Sequence, residues 1–530
     1  MLRALAVLFL LLAPTNAWAE GSGAFVMTSG PDTIAIERFE RGDAQLSGAV
    51  LFRLPNLRMD YSLELRSDAT SSTVLLDLRR GTDVLGHEPR ETRTVLFRED
   101  SVFATLGRGK HDTTLTAPRA LPYVNPSVAR FEQVVRRARV IGGRRAIVPL
   151  YMLVGGQTLD CLVTRTGLDS TRLSLGGLDI LLATDADGTV LGGSIPAQGI
   201  TLSRADALSA DALVLPRPDY SAKPTDPFTA TDVRIRTRGG VDLAGTFTRP
   251  KTRRGRGPIV ILVNGSGQQD RDESLPTLRG YRPFREIAAA LAERDLSVLR
   301  LDDRGVGNSR GSGALATTED LANDIEDAIK WARARREVDS NRVAIVGHSE
   351  GGLIASIIAA RDPKLRGIVM MASPAYEGRR VQEYQRKYTL ERSGFRGARR
   401  DSLVRALDAA ADSAGRATPW MRWYLDFDPL SPLRELRVPV LILQGETDRQ
   451  VTGEQAGVLE RTLRARGNRD VTRVMFPETN HLFLADPDGS PDGYPSLEDP
   501  RLRPEVLETL STWLYEHLKL VPAPKPKPKP

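Results

Sequence analysis

Cysteine is almost absent from this 530-residue sequence, which has a single one at Cys161. One cysteine cannot form a disulfide within the chain, so disulfide bonds do not stabilise the fold. Cys161 alternates with the apolar residues Leu159 and Val163. This alternation is typical of the buried face of a strand and argues against a reactive thiol.

Long apolar runs are also missing. No segment after the amino terminus reaches the roughly 18 apolar residues that a membrane-spanning helix needs, so no transmembrane segment is expected. At the amino terminus, Arg3 precedes a short apolar run at 4–13, and Ala17-Trp18-Ala19 offers a small-residue cleavage site. This pattern predicts a secretory signal peptide at residues 1–19. We therefore expect an exported mature chain, periplasmic or secreted.

A strong excess of charge is missing as well. The formal net charge of +7 is small for this length, and the arginines are spread along the chain. A nucleic-acid partner is therefore not expected. Residues 522–530 are almost all proline and lysine, which predicts an extended, disordered tail. The tail lysines leave open a weak attraction to an anionic envelope surface.

The length predicts two sizeable domains. In residues 20–215, short runs alternate apolar and polar side chains, as at 59–65 and 158–164, and one helix is expected near 128–140. We interpret this region as a mainly antiparallel β domain, either a sandwich or a curved half-barrel. It carries no catalytic motif. It could present substrate, bind a lipid or wall material, or only brace its neighbour. Residues 216–226 form the predicted linker.

Strands alternate with helices in residues 227–521. A hairpin at 231–247 is followed by apolar strand-like runs at 258–263, 296–301 and 365–372, with helical spacing between them. This order predicts an α/β fold with a mostly parallel sheet covered on both faces. Active residues are then expected at the carboxyl ends of the strands.

A G-x-S-x-G motif at 347–351 follows an apolar β-branched run and precedes a helical pattern at 353–360. The two glycines allow a sharp reversal between a strand and a helix, which would expose the hydroxyl of Ser349 at the tip. A serine nucleophile needs a base and an orienting acid, in the chain order Ser, Asp or Glu, His. Asp448 follows a strand-like run and is the candidate acid, with Glu446 as the alternative, and His481 is the candidate base.

Acyl transfer also needs hydrogen-bond donors for the oxyanion. The backbone N–H of Glu350 is the first candidate. A glycine-rich turn at 264–267 follows the strand at 258–263, and the N–H of Ser266, or else that of Gly265, is the second candidate.

These segments together resemble the α/β-hydrolase superfamily, and within it the bacterial esterase and serine aminopeptidase-like hydrolases. The motifs at 264–272, 302–307, 347–352, 444–448 and 480–483 fall in the family's order, and the resemblance covers roughly residues 225 to 520. One departure is Asn264, where many relatives carry a histidine. The resemblance implies a serine hydrolase with a Ser349–Asp448–His481 triad, acting on substrates that range from acyl esters to peptides and lipids.

Too many residues lie between the strands near 372 and 438 for a simple crossover. We expect a helical cap at about 375–430, lying over the nucleophile. Its large side chains would line a substrate pocket or only pack the cap onto the core: Trp420, Met421, Trp423, Tyr424 and Phe427.

Two acidic segments superficially resemble loops that bind a phosphate or a metal. Residues 302–307 lack the lysine and hydroxyl of a phosphate-binding loop, and residues 486–493 lack the closing glutamate of a calcium loop, so we expect a structural and a solvated loop respectively. No metal and no cofactor are expected. The leading hypothesis is a carboxylic ester hydrolase. A peptidase of the same fold and a catalytically inactive binding module are the alternatives, and the oligomeric state is left open.

Overall fold

The computed structural model describes residues 22–30, 32–52, 57–80, 91–106, 110–125, 127–153, 156–176, 178–205, 218–275, 277–311, 313, 316–415 and 419–519. The predicted signal peptide at 1–19 and the predicted tail at 522–530 lie outside these residues. Within the described residues, none of the helices has both the length and the apolar character needed to cross a bilayer.

The amino-terminal region forms one sheet of 15 strands. Its strands are β1 (Gly23–Ser29), β2 (Asp32–Arg41), β3 (Gln45–Phe52), β4 (Leu57–Leu65), β5 (Ser71–Arg80), β6 (Glu91–Arg98), β7 (Ser101–Leu106), β8 (Lys110–Leu115), β9 (Leu121–Tyr123), β10 (Arg145–Met152), β11 (Thr158–Arg165), β12 (Ser170–Leu175), β13 (Leu178–Thr184), β14 (Val190–Ile195) and β15 (Ile200–Ala205). The spatial order runs from β8 down to β1, then β15 down to β9. All neighbours are antiparallel except β9 and β10.

Among the described residues of this region, the one α-helix is α1 (Val128–Ile141), which is buried against the sheet. Helix α1 contacts β2 and β14 as well as β10 and β11, and the last two strands are far from β2 in the sheet order. Strands so far apart in one sheet can contact the same helix only if the sheet curls around that helix. The helix and the inward side chains of the strands share one apolar core. The sandwich alternative is therefore wrong, because there is one curved sheet and not two facing sheets.

The second region contains an eight-stranded sheet flanked by helices. Its strands are β16 (Phe228–Arg236), β17 (Asp242–Pro250), β18 (Gly257–Val263), β19 (Ser297–Leu301), β20 (Val338–His348), β21 (Ile368–Met371), β22 (Val440–Gly445) and β23 (Val471–Phe476). The helices are α2 (Pro283–Glu293), α3 (Thr318–Arg333), α4 (Glu350–Arg361), α5 (Gly378–Arg392), α6 (Gly397–Gly415), α7 (Pro419–Asp426), α8 (Glu454–Ala465) and α9 (Pro504–Leu518).

The strand order 16-17-19-18-20-21-22-23 has a reversal at β18. The chain leaves β18 for β19 on one side and returns to β20 on the other, and β18 to β23 are parallel. Ligands of open parallel sheets bind at the carboxyl ends of the strands beside such a reversal. The turn at 264–267 leaves β18 and Ser349 follows β20, so both predicted segments lie at this point.

Both faces of this sheet are covered, as the continuous apolar strands predict. Alternate residues of β18 enter different cores: Ile259 and Ile261 pack on one face, while Val260 and Leu262 pack on the other. Helices α5, α6 and α7 are inserted between β21 and β22. We refer to residues 378–426 as the insertion.

The two regions contact each other through the turn that joins β1 and β2. Asp32 at the start of β2 accepts hydrogen bonds from the Arg282 guanidinium at 2.9 and 3.0 Å. Arg282 immediately precedes α2. The start of β2 therefore lies against the second region.

Candidate active site

Ser349 lies on a strained turn between β20 and α4. Its backbone has φ 54° and ψ −117°, a conformation that side chains other than glycine rarely adopt. The flanking glycines are required by space, since a Cβ at Gly347 would lie 2.0 Å from the carbonyl oxygen of Gly351. A Cβ at Gly351 would lie 2.1 Å from the Val263 oxygen. The turn thus presents a partly exposed serine side chain at the carboxyl edge of the sheet.

His481 and Asp448 meet at the same edge. Both follow adjacent parallel strands, β23 and β22, and His481 Nδ1 lies 2.8 Å from Asp448 Oδ2. Asp448 Oδ2 also accepts from Gln444 Nε2, and Oδ1 accepts from the N–H groups of Gln450 and Val451 at 2.8 Å each. Four hydrogen bonds therefore fix this buried carboxylate. They orient the imidazole so that its Nε2 is left for another partner.

Glu446, the alternative acid, is exposed to solvent two residues before Asp448. Its backbone N–H bonds the carbonyl of Phe476, which continues the pairing of β22 with β23. The structure thus places Asp448, and not Glu446, beside His481.

The loop that carries His481 is ordered by two buried side chains. Asn480 Oδ1 accepts from the N–H groups of Leu482 and Leu484, and Asn480 Nδ2 donates to Asp486 at 3.1 Å. Asp486 also accepts from the N–H of Gly489. The expectation of a solvated loop at 486–493 is wrong at its start, because Asp486 is only 6% exposed and braces the histidine loop.

His348, the residue before Ser349, connects three parts of the site. Its Nδ1 lies 2.9 Å from Glu273 Oε1 and its Nε2 lies 2.9 Å from the carbonyl oxygen of His481. Burial lowers the pKa of His348, but the charge and hydrogen bond of Glu273 and the carbonyl of His481 outweigh burial, so the pKa is raised. The two ring nitrogens thus link the elbow to Glu273 on one side and to the histidine loop on the other.

Glu273 also determines which oxyanion donor is available. Its Oε1 accepts the backbone N–H of Gly265 at 2.7 Å. Because this N–H is already used, the N–H of Ser266 stays as the second candidate donor, next to that of Glu350. Asn264, which departs from the family's histidine, donates from Nδ2 to Asp303 Oδ1 at 2.9 Å and so fixes the start of the same loop.

The side chain of Glu350 forms a second buried centre. It is 2% exposed, and its Oε1 accepts from the Thr318 hydroxyl at 2.5 Å and from Trp420 Nε1 at 2.8 Å. The Ser266 hydroxyl also bonds this carboxyl. Burial raises the pKa of Glu350 and these three hydrogen bonds lower it. The effect of burial is larger, so the pKa lies above its usual value. The carboxyl thus joins the elbow, the 264–267 turn, α3 and the insertion.

The large side chains of the insertion take different positions. Trp420 reaches Glu350 and stacks on Tyr424 at 4.9 Å between ring centroids. Met421 Sδ accepts from Gln382 within the insertion. Trp423 stacks on Phe427 at 4.0 Å, and both pack against the core. Of the predicted pocket residues, the structure therefore places Trp420 beside the residue that follows Ser349, and Trp423 against the core.

The roles of Glu273, His348 and the Glu350 side chain are not among the predictions from the sequence. Glu273 lies 75 positions before His348 in the chain, and no spacing rule joins them. One signal was present for Glu350: an acidic residue inside an otherwise apolar and glycine-rich segment needs hydrogen-bond donors if it is buried.

Residues 260–490 match the model of the alpha/beta hydrolase family. The chain is 29% identical to Esterase EstD of Thermotoga maritima over 306 residues, which cover 56% of this chain and 69% of the relative. It is 24% identical to Dipeptidyl aminopeptidase BIII of Pseudoxanthomonas mexicana over 289 residues, which cover 50% of this chain and only 37% of the peptidase.

Among solved structures, the Pyrococcus furiosus esterase Pf2001 is 17% identical, with a TM-score of 0.40, and the match covers 57% of this chain and 97% of that one. The residues that match the family model include strands β19 to β23 and the helices between them, together with Ser349, Asp448 and His481. For this region, the family model and the curated relatives all point to the alpha/beta hydrolase superfamily.

Proposed function

We propose that the chain is an exported serine hydrolase that cleaves carboxylic esters through an acyl-enzyme on Ser349. The observation that carries this proposal is the 2.8 Å contact of His481 with Asp448 at the sheet edge where the strained turn presents Ser349. A strained serine and a carboxylate-oriented imidazole are what acyl transfer requires.

In the proposed reaction, His481 Nε2 takes the proton of the Ser349 hydroxyl as its oxygen attacks the ester carbonyl carbon. The carbonyl oxygen becomes an oxyanion, and the N–H groups of Glu350 and Ser266 would donate to it. The tetrahedral species collapses, the bond to the alkoxy oxygen breaks, and the alcohol leaves with the proton from His481. Water then attacks the acyl-enzyme by the same route and releases the acid. Asp448 keeps the Nδ1–H tautomer throughout.

The insertion is proposed to act as a cap that shapes the acyl pocket. The contact of Trp420 with Glu350 supports this, because it brings the insertion next to the residue that follows the nucleophile. Tyr424, stacked on Trp420, and Met421 on the same helix are the further proposed pocket residues. Closing such a site excludes water from the reaction.

A peptidase is the second candidate, because some of the similar proteins are named as peptidases. They include Dipeptidyl aminopeptidase BIII and, at 22% identity, the uncharacterized peptidase YuxL of Bacillus subtilis. The greater similarity to an esterase favours the ester substrate. The substrates of both candidates are small molecules or short peptides.

A substrate panel tests the proposal. Purified full-length protein and its Ser349→Ala variant would be assayed on p-nitrophenyl esters of two to twelve carbons and on aminoacyl anilides. Ester hydrolysis that is lost in the variant supports the esterase, and Ser349-dependent hydrolysis of the anilides alone would favour the peptidase. Equal ester hydrolysis by both proteins would overturn the assignment of Ser349.

Export is proposed from the amino-terminal pattern alone. Expression in a Gram-negative host, followed by fractionation and amino-terminal sequencing, tests it. We expect a mature chain beginning at Glu20 in the periplasm or medium, whereas an uncleaved chain in the cytoplasm would contradict export.

A further inference from the structure

A cavity of about 760 Å³ opens at the end of β2 opposite to Asp32, the residue that contacts the second region. It lies where the β2–β3, β4–β5 and β13–β14 turns meet the second half of α1. Four arginines line it: Arg41, Arg66, Arg136 and Arg139. We call it the arginine cavity. Its volume is in the range of small-molecule sites, which is roughly 300–1,000 Å³.

The charge around this cavity is unbalanced. Glu132 is fully buried beneath it and takes ion pairs from three arginines, Arg41 at 2.9 Å, Arg204 at 3.1 Å and Arg136 at 3.5 Å. The only other acidic residues in the described lining are the exposed Asp43 and Asp187 on its rim.

The described lining therefore has four guanidinium groups against two carboxylates, which leaves an excess of two positive charges. One buried carboxylate cannot neutralise three cations, so the cavity carries a positive potential.

The arginine side chains differ in how many hydrogen-bond partners they have within the protein. Arg41 is 6% exposed and donates to Gln133 and to the carbonyl of Ala129, which fixes it. Arg139 donates to the carbonyls of Asp185 and Ala186.

Arg66 is different: it is exposed and has no side-chain partner among the described residues. Within the part of the chain that the structure describes, Arg136 donates to the Thr189 hydroxyl at 3.4 Å and pairs with Glu132 at 3.5 Å. Arg41 and Arg139 are held in place by hydrogen bonds, whereas Arg66 and Arg136 keep N–H groups that can donate to a ligand. This combination suits the binding of an anion.

The position of the cavity separates it from the hydrolase site. Strand β2 begins at Asp32, which bonds Arg282 of the second region, and ends at Arg41 in the cavity wall. Its ten residues span roughly 30 Å at about 3.3 Å per residue. A ligand held in the arginine cavity would therefore lie outside the catalytic edge.

We propose that the arginine cavity is a binding site for a phosphate-bearing anionic ligand, and that the curved-sheet region thereby attaches the hydrolase to phosphate-rich material. Guanidinium groups match phosphate because they donate two parallel hydrogen bonds to it, and several converge here. The proposal is independent of the reaction at Ser349. The phosphate could belong to a soluble molecule or to a lipid headgroup, and the two binding measurements below distinguish these ligands.

Two binding measurements on the full-length protein test this site. In one, inorganic pyrophosphate is titrated calorimetrically at constant ionic strength. In the other, the protein is sedimented with vesicles of phosphatidylglycerol or, as a neutral comparison, phosphatidylcholine. The variant is Arg66→Glu, which changes an exposed side chain and should leave folding intact. The matched control is Arg172→Glu, which makes the same charge change on the outer face of β12.

We expect Arg66→Glu to weaken binding at least about tenfold, as the loss of one charge-assisted contact does, and to leave ester hydrolysis unchanged. Arg172→Glu should bind like the wild type. If Arg66→Glu weakens the binding of pyrophosphate, the ligand is a soluble phosphate. If it weakens only the binding to anionic vesicles, the ligand is a lipid headgroup. The proposal is overturned if neither ligand binds, or if both variants lose the same fraction of binding, which would show only a general charge effect.

Discussion

The buried carboxyl of Glu350 allows a quantitative test of how the site is held together. Its Oε1 accepts the Thr318 hydroxyl and the Trp420 N–H, and the Ser266 hydroxyl bonds the same group. A donor left without its acceptor inside a protein costs roughly 1–3 kcal/mol. Glu350→Ala orphans three donors, although some regain water. We expect it to lower the free energy of unfolding by about 3–5 kcal/mol, near the upper end for single substitutions.

Glu350→Gln provides the matched comparison because it keeps one acceptor oxygen and the volume of the side chain. We expect it to cost only about 1–2 kcal/mol, and Trp420→Phe, which removes one donor, about 1 kcal/mol. Urea titrations followed by far-ultraviolet circular dichroism measure these values. Ester hydrolysis should fall about tenfold or more in the alanine variant, because Ser266 loses its anchor. Equal stability of the alanine and glutamine variants would refute this account of the network.

Three further predictions concern the strand ends. Asp448→Asn should lower kcat/KM for esters by about 10³–10⁴, as wrong-tautomer variants of such triads do, while Glu446→Gln stays within about twofold of the wild type. His348 has a raised pKa, so its contribution to stability is complete below its usual value of 6.5 and is lost as the pH rises through the raised value. The difference in free energy of unfolding between wild type and His348→Gln, measured in urea titrations, should therefore narrow as the pH rises above 6.5. A difference that stays constant with pH would contradict this prediction. Gly351→Ala should lower the free energy of unfolding by about 3 kcal/mol or more, because the added Cβ overlaps backbone atoms. The control is Gly457→Ala in α8, where the added Cβ would meet only the flexible end of the Arg461 side chain. Thermal unfolding should show this control to be neutral or slightly stabilising.

The elbow could be predicted from sequence because its physics is local. The glycines at 347 and 351 are needed within one turn, and the four residues directly before them, 343–346, are apolar and buried. The acid and the histidine followed from topology, since parallel strands bring their carboxyl ends to one edge. Asp448 could be separated from Glu446 only in three dimensions, where one side chain is buried beside His481 and the other is exposed.

The supporting contacts could not be predicted because they join distant segments. Glu273 meets His348 across 75 positions, and Trp420 meets Glu350 across 70. The shape of the amino-terminal sheet could not be predicted either. The alternation of apolar and polar residues shows which side chains of a strand face the core, but not whether the strands form one sheet or two. The contacts of α1 with strands at distant places in that sheet decide this.

Covalent labelling of Ser349 tests the central claim most directly. A fluorophosphonate probe reacts with serines activated by an oriented histidine, and mass spectrometry of the labelled protein identifies the residue. We expect one probe per chain on the peptide containing Ser349, no labelling of Ser349→Ala, and strongly reduced labelling of Asp448→Asn. Absence of labelling in the folded wild-type protein, or labelling that persists in Ser349→Ala, would contradict the proposed nucleophile.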